Sequence, residues 1–106
     1  GGAAAMRRIL DQGPAPDAIF VASDLMARGA ISVLSDRGIR VPQDIAIIGF
    51  DDSPAASSGA PGLTTIRQPS LQQGELMAHT LLELLAGRVP RRVIILETEL
   101  IVRDSA

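Results

Sequence analysis

Two adjacent carboxylates, Asp51 and Asp52, end the apolar run Ile45-Ala46-Ile47-Ile48-Gly49-Phe50 and open onto a loop of small residues from Ser53 to Gly62. An acid pair in that position can ligate magnesium for phosphoryl transfer, supply one recognition acid beside a neighbour that shapes the backbone, or simply begin a polar loop. Phosphoryl transfer also asks for a cation that holds the phosphoryl oxygens. All ten basic residues are arginine and no lysine exists, so the magnesium reading of Asp51/Asp52 lacks the lysine such sites use. A second candidate pair, Ser23 and Asp24, follows the apolar run Ala18 to Ala22. It is what any strand-to-helix junction uses as an N-cap, and it also lies where a ligand could be met. The sole histidine, His79, falls away from the apolar stripe of its helix, and neither a G-x-S-x-G elbow nor a phosphate-binding glycine loop is present. No catalytic residue, metal site or cofactor is therefore expected, and the chain does not read as an enzyme.

The bulk composition narrows the partners. At 106 residues, 46% hydrophobic and 21% charged, the chain falls in the range of one ordinary soluble domain able to bury a core. The net charge is −2 and the arginines are scattered singly or in pairs, so this segment lacks the basic stripe of direct nucleic-acid binding. With Phe20 and Phe50 the only aromatics, it also lacks a stacking platform. There is no cysteine, hence no disulfide framework or cysteine zinc site, and no apolar run approaches a membrane span. The opening GGAAAMRRIL has no initiator Met and reads as the start of a fragment or processed piece.

The elements that must position the acids alternate. Ala3 to Leu10 reads as a helix, stopped by Gly13-Pro14-Ala15-Pro16. Ala18 to Ala22 and Ile45 to Phe50 are short, almost wholly apolar runs, which suit parallel strands covered on both faces. Between them lies a helix from Leu25 to Arg37, capped by Ser23 and Asp24 and ended by Gly38, with Gly29 hinting at close packing. This β-α-β unit places Asp51 at the carboxyl end of a parallel strand, the edge where open α/β sheets take ligands. Leu63 to Arg67 reads as a third strand. Ser70 with Gln73 reads as a capping box opening a helix to Ala86, with Met77, Ala78, Leu81, Leu82 and Leu85 on one buried face, and Gly87 closes it. Val93 to Val102 reads as one long strand. The fold class expected is α/β, a three-layer fold on a parallel sheet.

Three strings, PDAIFVASDLMARGAISVLSDRGIRVPQDIAIIGFDDSP, LTTIRQPSLQQGELMAHTLLELLAGR and LETELIVRDS, occur in order and at spacing that resembles the carboxyl-terminal part of the LacI/GalR family of bacterial transcriptional regulators. The resemblance implies a partial lobe of the type I periplasmic-binding-protein fold. A small effector, a sugar or related metabolite, would bind between two lobes and bias an upstream helix-turn-helix DNA reader. Asp51 matches the position that hydrogen-bonds effector hydroxyls or amines, with Ser23, often asparagine in the family, and Asp24 beside it. The helix 25–37 and the loop 53–61 resemble the family's homodimer interface, at Arg28 and Gly59. Residues 1–67 would belong to the second lobe, 68–101 to the crossover helix and strand of the first, and 102–106 to the return. The apolar face at Met77, Leu81, Leu82 and Leu85 would then have lost its partners and need cover in any ordered state. DNA would be read only by the upstream segment, no membrane is implied, and the compartment would be the cytoplasm. A sugar-binding receptor for transport shares the fold and is the nearest rival.

Overall fold

The computed structural model describes residues Gly1–Ala106. They form two compact units, one of Gly1–Arg67 with Glu99–Ala106 and one of Gln68–Thr98. In the first unit the elements run α1 (Gly2–Asp11), β1 (Ala18–Phe20), α2 (Asp24–Asp36), β2 (Ala46–Asp51), α3 (Pro54–Ser57), β3 (Thr64–Arg67) and β4 (Glu99–Ile101). The sheet order is β1-β2-β3-β4, the first three parallel and β4 antiparallel to β3. The fold is thus mixed α/β with a mainly parallel sheet.

Helix α2 forms for local reasons. The Ser23 hydroxyl accepts a hydrogen bond from Met26 N at 3.3 Å, filling one orphan donor of the first turn. Past the other end Gly38 takes φ +70°, and the Ile39 and Gly38 amides reach back to the Leu34 and Ser35 carbonyls. Ala27, Ala30, Ile31 and Leu34 recur at helical spacing and are buried. Helix α1 packs so closely on α2 that a Cβ on Gly29 would sit 3.0 Å from Ala3 N, which accounts for that glycine. Between α2 and β2 a turn is closed by Arg40, whose guanidinium and amide bond Asp44. Those hydrogen bonds hold the Asp44 carboxyl down at about 2.

β1 and β2 are more covered on one face than on the other, where both faces were expected to be buried. Along β2, Ile47 and Gly49 are enclosed while Ala46, Ile48 and Phe50 remain partly open. The period of two puts these sets on opposite faces, and α2 packs on β2 over one of them. On the open face Phe20 and Phe50 meet edge to face, centroids 6.2 Å apart and rings at 80°. The core under the covered face is aliphatic: Met6, Leu34, Ile45, Ile47 and Leu63 are its largest apolar members.

The chain's last residues close this unit. Ser105 is fully buried; its Oγ accepts from Thr64 N at 2.9 Å and donates to Ile47 O at 2.7 Å. Its own carbonyl accepts from Ile47 N at 2.8 Å, so one residue joins the starts of β2 and β3.

The second unit contains helix α4 (Ser70–Leu85). The expected capping box is not made. The helix starts from Pro69 without a side-chain cap, the Ser70 amide bonds Gln68 O, and Gln73 Nε2 donates to Gln68 Oε1 instead. Proline at the N-cap sets the entry one residue earlier, so Ser70 already lies inside the helix. The far end is as expected: Gly87 has φ +76°, and the Arg88 and Gly87 amides bond the Glu83 and Leu84 carbonyls. No residue of α4 is buried, and Met77 and Leu85 are 72% and 76% exposed. Within this chain the apolar face of α4 is thus left open. The long strand expected over 93–102 is reduced to Glu99–Ile101, because only those residues find a ladder partner, in β3.

Candidate functional site

Parallel pairing sets the geometry of the carboxyl edge. Phe20 faces Ile48 in register, so the chain leaves β1 at Ser23 level with the end of β2 at Asp51. Asp51 in turn faces Arg67, the last residue of β3. Asp51 is exposed, and its backbone takes φ +111°; Asp52 follows at +54°. Two successive non-glycine residues on the positive side of φ turn the chain sharply off the strand into α3. That short helix has Pro54 at its first position, a signal in Ser53-Pro54-Ala55-Ala56 that the loop reading of 53–62 passed over.

Asp52 is much more than the opening of a loop. Its Oδ2 accepts from Arg67 Nε at 2.7 Å and its Oδ1 from Arg103 Nη2 at 2.8 Å. Arg103 uses the other arm of its fork on Leu63 O, at 2.9 Å. Burial opposes ionisation of Asp52, but the hydrogen bonds and charges of Arg103 and Arg67 together outweigh it and hold the carboxyl below its usual range. With both oxygens engaged by guanidinium groups, Asp52 cannot join Asp51 in a magnesium pair. No cluster of three or more acids and histidines suited to a metal exists in the chain.

Asp24, expected to face ligand with Ser23, is turned inward and fully enclosed. Its Oδ1 accepts from Thr65 Oγ1 at 2.6 Å and its Oδ2 from Ser53 N at 2.7 Å. A carboxylate taken out of water must have its lone pairs filled, and here β3 and the start of the α3 loop fill them. Asp24 therefore ties the edge together and offers nothing to a ligand. Ser23, half-buried, caps α2 and stays at the edge.

Arg28, expected in a dimer contact, is engaged within its own chain. Nε donates to Ala55 O at 2.6 Å, Nη1 to Pro61 O at 2.7 Å, and Nη2 to Ala56 O and Gly59 O at 2.8 and 3.3 Å. Four carbonyls thus satisfy one guanidinium, and the loop is folded around it. Gly59 is small for the same reason, since a Cβ there would lie 3.1 Å from Arg28 Cζ. His79 is exposed on α4 with Nε2 3.2 Å from Glu83 Oε1, an i,i+4 pair on the helix surface.

Comparison with known proteins adds four findings. The model of the periplasmic binding protein-like domain matches residues 1–106. The HTH-type transcriptional regulator CelR of Thermobifida fusca is 45% identical over 98% of this chain, which covers 31% of that protein. A solved CelR–cellobiose complex superposes with TM-score 0.92 at 44% identity, over 99% of this chain and 32% of that one. A lac repressor bound to ONPG in its repressed state does so with TM-score 0.90 at 33% identity, over 99% and 32%. The chain thus spans about a third of the length of these relatives.

Proposed function

Because the chain belongs to the periplasmic binding protein-like family, in its LacI/GalR branch of transcriptional regulators, we propose that it is the effector-binding and dimerisation region of a cytoplasmic DNA-binding regulator. The effector is a sugar or a related small metabolite, met by Asp51 and Ser23 at the carboxyl edge of β1 and β2. Residues 1–67 and 99–106 are part of one lobe, and 68–98, where a crossover helix and strand were expected over 68–101, supply only a helix to the other. The regulator acts as a homodimer through the outer faces of α2 and the 53–62 loop, and an upstream helix-turn-helix reads DNA. The segment is not an enzyme; the relatives named above are regulators. Their identity favours this reading over a transport receptor.

The observation that supports it most is an exposed acid on a sharply turned strand end, in a chain 44% identical to a protein solved with cellobiose. A carboxylate accepts hydrogen bonds from sugar hydroxyls, and a charged hydrogen bond of this kind is worth about 1.5–3 kcal/mol. Asp51→Ala in the full-length regulator should weaken cellobiose binding roughly 10- to 100-fold by calorimetry. Unchanged affinity in that variant would reject the site.

A further inference from the structure

We infer that Asp52 is a positioning residue for Asp51, holding the recognition acid at the sheet edge through its two arginine partners; this rests on the effector reading of Asp51. Asp51 and Asp52 take φ of +111° and +54°, conformations that residues with a Cβ avoid unless their surroundings impose them. The surroundings here grip the turn from both sides. Beneath it, Asp24 binds Ser53 N and Thr65 Oγ1, and that hydroxyl oxygen also accepts from Asp52 N at 3.4 Å. Beside it, the Asp52 carboxylate is bonded by Arg67 at 2.7 Å and Arg103 at 2.8 Å.

Each partner is placed to matter. Arg67 stands directly across the ladder from Asp51 and is the last residue before the second unit, and Arg103 follows β4, where the chain has come back. Arg103 also holds Leu63 O, so its guanidinium is fixed at two points and cannot follow Asp52 freely. One carboxylate therefore gathers the end of β2, the end of β3 and the segment after β4. The peptide between Asp51 and Asp52 is set by where those three lie.

Asn tolerates positive φ about as well as Asp, so Asp52→Asn removes the ionic grip and leaves the backbone preference in place. In the full-length protein, with cellobiose as the probe, Asp52→Asn should weaken binding at least about tenfold. Combined with Asp51→Ala it should add no further loss, because the two act through one contact. A residue that merely stabilises the fold would give additive losses, and either additivity or an Asp52→Asn affinity within about twofold of the parent would overturn the inference. Arg103→Lys, which keeps the charge but not the fork, should give a smaller loss in the same direction and serves where Asp52→Asn does not fold.

The free protein separates this from failure of the effector reading. If cellobiose does not bind, or Asp51→Ala binds it as the parent does, the effector assignment falls. Amide exchange then still reports on Asp52. At least about tenfold faster exchange at Asp52 and Ser53 in Asp52→Asn, with Val21 unchanged, would support positioning of the turn, and unaltered exchange there would overturn it.

Discussion

Asp52 binds its proton less tightly in the fold than in the open chain, and the sign of the resulting pH dependence follows. Burial opposes its charge, yet Arg103 and Arg67 prevail, with Glu99 3.5 Å away on the other side of Arg67. A carboxyl lowered on folding contributes stability in full above its unfolded value, about 4, and loses that contribution as pH falls through the lower folded value. Urea unfolding should therefore find Asp52→Asn less stable than the parent at pH 7, with the gap closing steadily below about pH 4. The sequence marked Asp51 because its place depends only on the strand before it. It could not mark Asp52 in the same way, because its partners lie 15 and 51 positions further along. Asp24 was misjudged for a like reason: an N-cap position shows where the backbone turns, while the inward aim of the side chain is decided by Thr65 and Ser53.

At the scale of elements, what depends on near neighbours was legible. The serine cap and glycine exit of α2, the glycine exit of α4 and the strand that delivers Asp51 all follow from residues a few positions apart. What depends on distant neighbours was not. An apolar strand was taken as covered on both faces, yet only one face of β2 meets a helix, and the 93–102 run forms strand only where β3 offers a ladder. Gly49 shows the same gap, since a lone glycine in a strand signals close approach without naming what approaches. Here a Cβ would fall 2.4 Å from Asp24 Oδ1 and 2.8 Å from Leu63 Cδ2. Gly49→Ala should thus cost about 2 kcal/mol or more through overpacking and displacement of Asp24. Thermal unfolding would register this as a drop of roughly 10 °C for a unit of this size.

For the whole molecule, stability is unevenly shared. The first unit has a closed aliphatic core, whereas α4 leaves Met77, Leu81, Leu82 and Leu85 more than half exposed. Each of those side chains forgoes about 2 kcal/mol that burial would contribute. A helix of 16 residues without such packing is marginal in water. Hydrogen exchange on the 106-residue chain should accordingly show α4 amides exchanging at least about 100-fold faster than Ile47, whose amide is held by Ser105. Equal protection would mean that α4 draws its stability from something other than apolar packing. The Ser105 closure carries a practical consequence. Residues 88–98 hold no helix or strand, and several are bare to solvent, Val89 at 93% and Ile95 at 89%. A protease that cuts there severs no ladder. The piece from Glu99 to Ala106 would still be held by β3, by Asp52 through Arg103, and by the seam between β2 and β3 through Ser105. The segment is in effect a peptide ligand for its own domain, and a labelled copy supplied in trans would report whether that domain is folded.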